Sequence, residues 1–117
     1  MSRVTLFARA AFWSAALLAL VMALLPQPPN LPFEPSDKFQ HALAFMTLAA
    51  LATLAYPTIS PLRIGIALSA FGAAIEFFQM VPALHRDAQF SDWVTDTAAI
   101  FVVLAFAAAL RRRADLR

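Results

Sequence analysis

Residues 5–25 read TLFARAAFWSAALLALVMALL, one apolar run with a single charge, Arg9, near its start. A helix needs about 20 mostly apolar residues to cross the hydrocarbon core of a bilayer. This run has that length. It stops at Pro26-Gln27-Pro28-Pro29-Asn30, which cannot continue a helix. Pro32 and Pro35 follow, so the connection is extended and stiff. A basic start, an apolar run and a passable cleavage site at Val21-Met22-Ala23 also describe a secretory leader. The apolar run is long for a leader, and the reading kept is a helix that stays in the membrane.

Three further segments follow the same logic. The second runs over about 37–56, with Ser36 or Asp37 to cap its start and Tyr56-Pro57 to end it. The third runs over about 62–81 with one charge, Glu76, and the fourth over about 92–110 with one internal charge, Asp96. The expectation is an all-α, four-transmembrane-helix bundle, one domain filling 1–117, with short loops. Composition agrees. Of 117 residues, 62 % are hydrophobic and 14 % charged. Soluble domains have about 45–50 % and about 25 %. Mean hydropathy is +0.71. These values exclude a disordered chain, a collagen-like chain and an ordinary soluble enzyme domain. The chain has no cysteine, which excludes disulfides and thiolate metal sites.

The charges sort by side. In a four-helix span both termini share one face of the membrane. Arg3, Arg9, Arg63, Arg111, Arg112, Arg113 and Arg117 then lie on that face, with only Lys38 and Arg86 opposite. Basic residues in short loops mark the cytoplasmic side, so both termini are expected in the cytoplasm. The acids sort the other way: Glu34, Asp37, Glu76, Asp87, Asp92 and Asp96 lie on or near the outer side. The net charge of +2 and the pI near 9.9 therefore describe a topology anchor rather than a nucleic-acid surface.

The polar residues within the segments converge at the outer end. Residues at i, i+4 and i+7 share a helix face. Gly65, Ser69, Gly72, Glu76 and Gln79 form such a stripe in the third segment, and its two glycines are the only ones in the chain. Small residues let membrane helices approach, so this stripe faces the bundle. Asp92, Asp96, Ala99 and Val103 line one face of the fourth segment, and Asp37, His41, Ala44 and Leu48 one face of the second. A charge inside a membrane segment costs roughly 2.5–3.5 kcal/mol on insertion scales and faces the bundle interior or a wet cavity. The expected result is an outward-opening polar pocket of Asp37, His41, Glu76, Gln79, Asp92 and Asp96, with Lys38 and Arg86 at its rim. Trp93 stands where an interfacial anchor belongs. Several have a plainer reading beside them, but Glu76 and Asp96, which are at no helix terminus, do not. Asp37 and Asp92 are also placed to cap helices, Lys38 to snorkel, and His85-Arg86-Asp87 to be solvated loop.

These residues resemble a family. Asp37-Lys38-Phe39-Gln40-His41 looks like the DK-x-x-H start of the second helix in VanZ-like proteins. Glu76-Phe77-Phe78-Gln79 is similar to their E-x-x-Q. Arg86, then Asp92, then Asp96 is similar to their R…D-x-x-x-N element, with Asp96 where the family has Asn and with Ala98 and Ala99 where it has glycines. The elements fall in the family's order, from about Asp37 to Leu110. The resemblance implies a small multi-pass protein of the bacterial cytoplasmic membrane with a role in the cell envelope, in a family named for a member linked to glycopeptide resistance. It names no reaction.

Three functions fit. The first is an envelope factor that binds or processes a phosphate- or sugar-bearing lipid or cell-wall precursor. His41, Glu76 and Asp96 would be the catalytic candidates, and Asp37, Lys38, Gln79, Arg86 and Asp92 the substrate-binding ones. Arg86 and Lys38 suit a phosphate, and His41 suits proton transfer near neutral pH. Clustered carboxylates repel unless a proton or a cation sits among them, so a divalent cation is a candidate cofactor, with Asp37, His41, Glu76 and Asp92 as candidate ligands. The second is a structural or assembly subunit whose polar cluster locks helices together. The third is a small proton-coupled transporter, against which stands the lack of polar residues in the cytoplasmic half.

Overall fold

Ser2 turns the first apolar run into a helix. Its hydroxyl accepts from the Thr5 N–H at 3.0 Å while its own backbone stays extended, which is the geometry of an N-cap. Helix α1 follows over Arg3–Leu24 and ends where the prolines begin. The computed structural model describes residues 1–26, 37–84 and 90–115, without the side chains of Asp37, Lys38 and Asp115. Helix α2 covers Asp37–Ala55, α3 Pro61–Gln79 and α4 Phe90–Asp115. Ser60 caps α3 as Ser2 caps α1, with its hydroxyl 3.3 Å from the Arg63 N–H. Pro61 takes the first helical position, where no N–H is needed. Among the described residues there is no strand.

The helix ends differ from expectation in instructive ways. The third helix stops at Gln79 rather than Val81, and one 3-10 turn, Pro82–Leu84, follows it. The fourth starts at Phe90, not Asp92, and runs through the arginine run to Asp115. Arginine is a good helix former, and Arg112 and Arg113 sit favourably at the negative end of the helix dipole. Asp92 is therefore the third residue of α4 rather than its cap.

Three helices, α1, α3 and α4, are long and apolar enough to cross a membrane. The apolar part of α2 is shorter, Phe39–Ala55, because charged Asp37 and Lys38 open that helix. The molecule measures 52 × 27 × 26 Å. Its long axis exceeds a hydrocarbon core of about 30 Å. Leu17, Leu18, Phe77, Val102 and Phe106 stand exposed on its surface. Apolar side chains on both the buried and the exposed faces are what a helix in lipid requires.

Long-range contacts fix the direction of each helix. Helices α2 and α4 run parallel: His41 lies beside Asp96 near their starts, and Arg111 donates to the Thr53 carbonyl near their ends. Helix α1 runs against α2, with Arg9 near its start bonded to Ala55 at the end of α2. Helix α3 runs against α4 and parallel to α1, whose Ala23 it meets through Gln79. One end of the bundle, the terminal end, thus carries the start of α1, the 56–60 turn and the end of α4. The other, the connection end, carries the links from α1 to α2 and from α3 to α4.

The core between them is apolar: Phe12, Phe45, Leu48, Leu68, Ile100 and Leu104 are buried together. On α4 the buried line is Asp92, Asp96, Ile100 and Leu104, a strict four-residue step. Ala99 and Val103, expected on that line, are only partly buried. Gly65 and Gly72 let α3 close on its neighbours, where Phe101 and Phe45 occupy the space of a side chain. Two arginines finish α2. The last four carbonyls of a helix have no partner within it. The Arg9 Nε–H donates to Ala55 at 2.8 Å and Arg111 to Thr53 at 3.0 Å. Arg9 also lies over the Tyr56 ring, 4.5 Å from its centre.

Candidate functional site

Parallel packing of α2 and α4, with α3 antiparallel beside them, brings three side chains to one point near the connection end. His41 comes from the second turn of α2, Glu76 from the last turn of α3 and Asp96 from the second turn of α4. His41 Nδ1 lies 3.6 Å from Asp96 Oδ2 and 4.0 Å from Glu76 Oε1. One ligand atom from each residue lies within 4.8 Å of the others. The side chains of His41 and Glu76 are each 12 % exposed, that of Asp96 1 %. Both His41 contacts exceed the roughly 2.7–3.2 Å of an N–H···O hydrogen bond. Among the described residues Asp96 Oδ1 is buried with no hydrogen-bond partner. A buried polar atom left so costs about 1–3 kcal/mol, and more when charged.

Around this point the candidates part company. Asp92 is buried one turn from Asp96, toward the connection end and on the same face. Gln79 is also buried, but its amide donates to the Ala23 carbonyl at 2.9 Å. It satisfies one of the orphan carbonyls that end α1, which is a structural task the sequence does not show. Trp93 has a bonding role that the sequence does not show. Its indole N–H donates to the Ser69 carbonyl at 3.0 Å, and the ring lies against Gly72. The space left by the glycine draws the ring inward. Arg86 lies outside the described residues, as do the side chains of Asp37 and Lys38. Of the expected metal ligands, His41 and Glu76 are brought together, and Asp96 rather than Asp92 joins them.

Two features were missed in the sequence. Ser69 and Thr97 pair through their hydroxyls at 2.9 Å; Thr97 is the residue after Asp96 on α4, and Ser69 lies two turns before Glu76 on α3. The helical stripe containing Ser69 hinted at this; Thr97 gave no signal. The second is a cavity of about 480 Å³ between α1 and α2. Leu18, Met22, Phe45, Leu48 and Ile75 wall it, and His41 lines it as well. His41 therefore belongs both to the polar cluster and to an apolar cavity. The α1 wall carries no polar residue, so nothing in its sequence marks it.

No known protein family, no curated protein and no solved structure matches this chain. The chemistry rests on the site itself. An imidazole between two carboxylates can hold a divalent ion or move a proton.

Proposed function

We propose that this chain is a VanZ-like protein of the bacterial cytoplasmic membrane that binds or processes a phosphate- or sugar-bearing lipid or cell-wall precursor. The observation that carries the reading is the position of His41. It joins a buried polar cluster to an apolar cavity of about 480 Å³. An amphiphile has both needs: a polar head for the cluster and a chain for the cavity.

The basic residues support an orientation. Arg111, Arg112 and Arg113 close α4 at the terminal end, so the termini lie in the cytoplasm and the cluster faces outward. Lys38 and Arg86 belong to the connection end by sequence and are the cations for a phosphate there. A proton-coupled carrier is poorly supported, because among the described residues every buried charge lies near the connection end. A structural lock is favoured by one observation, the bond from Gln79 to Ala23.

The test is lipid binding by the full chain in nanodiscs, with phosphatidic acid and a long-chain isoprenoid phosphate as probes and phosphatidylcholine as reference. Both phosphate lipids are expected to bind more tightly than the reference. Ala19→Trp, which fills the cavity wall, is expected to weaken them at least tenfold while the protein stays folded. Equal binding by the filled and unfilled proteins sinks the lipid reading and leaves the structural one.

A further inference from the structure

We infer that His41, Glu76 and Asp96 form a binding site for one divalent first-row transition ion of the zinc class. The inference rests on reading these three residues as one site, as above, but not on a lipid being its ligand.

Three observations carry it. The first is spacing. Zinc bonds of about 2.0–2.2 Å in a tetrahedron place ligand atoms about 3.3–3.6 Å apart. His41 Nδ1 and Asp96 Oδ2 are 3.6 Å apart, and Glu76 Oε1 is 4.0 Å from the same nitrogen. These two contacts need to close by only a few tenths of an ångström, and all three ligand atoms already lie within 4.8 Å of one another. The set is too wide for hydrogen bonds and close to the span of a shared ion. The second is Asp96. It is 99 % buried by side-chain area, and its Oδ1 has no hydrogen-bond partner among the described residues. A carboxylate driven this deep calls for a cation. The third is charge. Two carboxylates close together in a low-dielectric interior repel, and a divalent ion held between them with a neutral imidazole balances the charge of these three ligands.

The donor set selects the ion. An imidazole nitrogen suits zinc, cobalt, nickel and iron, whereas magnesium and calcium prefer oxygen alone. Three protein ligands leave a coordination position for water or for an oxygen of a headgroup. Ligation through Nδ1 puts the imidazole proton on Nε2.

The experiment uses tag-free full chain in nanodiscs without added lipid ligand, in the His85→Ala background so that His41 is the one histidine. The protein is equilibrated with Zn²⁺, Co²⁺ or Mg²⁺ in turn, dialysed, and its metal measured by mass spectrometry. One zinc per chain and no retained magnesium are expected, with a Co²⁺ visible spectrum of a four- or five-coordinate nitrogen–oxygen site. His41→Asn, Glu76→Gln and Asp96→Asn are each expected to weaken zinc by more than the 10–100-fold that loss of an outer-shell partner costs. Asp115→Asn is expected to change nothing. Asp96→Asn is the variant most exposed to misfolding, so His41→Asn and the unmutated protein's Co²⁺ spectrum decide the matter without it. Absence of zinc from the unmutated protein overturns the inference, as does undiminished zinc in folded His41→Asn. Ala19→Trp is expected to keep its zinc, so loss of lipid binding and loss of metal are read separately.

Discussion

Gly65 and Phe101 are in direct register across the α3–α4 contact: a Cβ on the glycine would stand 2.6 Å from Phe101 Cζ and 3.0 Å from Leu104 Cδ1. The second glycine, Gly72, is less crowded, with Phe45 Cζ at 3.3 Å and Trp93 Cδ1 at 3.7 Å. The two glycines thus set the closeness of α3 to its partners to different degrees.

The crowding predicts unequal costs. Gly65→Ala is expected to destabilise the bundle by about 1–3 kcal/mol, the usual range for overpacking. Shortening the ring in Gly65→Ala/Phe101→Ala removes the nearer clash and is expected to recover part of it. Gly72→Ala is expected to lie within about 1 kcal/mol of the parent, since the roughly 0.5–1 kcal/mol that alanine gains in a helix offsets a shift of a few tenths of an ångström at Phe45. Unfolding in detergent measures all three. A cost at Gly72 exceeding that at Gly65 contradicts the packing described.

Gln79 provides a separate test of structural against site roles. Its donated bond to Ala23 is buried, so Gln79→Leu leaves an orphan carbonyl at the end of α1 and is expected to cost about 1–3 kcal/mol. Gln79→Glu places a carboxylate against that carbonyl oxygen and is expected to cost more. Neither change is expected to alter zinc stoichiometry in protein that remains folded. Hydrogen exchange at residues 20–25 gives a local readout: protection there should fall in Gln79→Leu before it falls in α4.

Arg9 ends α2 from a distance. Replacing it by methionine keeps the packing stem and removes both the bond to Ala55 and the stack on Tyr56. The expected loss is about 1.5–3 kcal/mol, the range for a hydrogen bond with a charged donor. Arg9→Lys keeps the charge but not the Nε–H geometry, and is expected to fall between the two. Thermal unfolding that ranks lysine with arginine would show that charge alone matters at this position.

The two tryptophans report on the lipid face. Trp13 is 60 % exposed, with its N–H bonded to the Tyr56 hydroxyl, whereas Trp93 is turned in against α3. In bilayers containing brominated acyl chains, quenching is expected to come mainly from Trp13. Trp13→Phe should therefore abolish most of it and Trp93→Phe little. Equal quenching of both single-tryptophan proteins contradicts the placement of Trp93 beneath Ser69.

Much of the helical layout could be read from residues in order. Apolar runs of membrane length, the prolines that break them, and the Ser60-Pro61 start of α3 are local features, and local chemistry decides them. That Glu76 and Asp96 turn inward also followed from the cost of a charge in an apolar segment. What sequence could not supply was rotation and register. A helix that is apolar all round has no polar face to say which side is buried. Hence the buried line on α4 passed through Ile100 and Leu104 rather than Ala99 and Val103. Only packing against α2 and α3 decided that Asp96, not Asp92, meets His41 and Glu76, and that Gln79 reaches back to α1 instead. The cavity beside His41 belongs to the same class, since α1, α2 and Ile75 of α3 enclose it together and no one helix forms it alone.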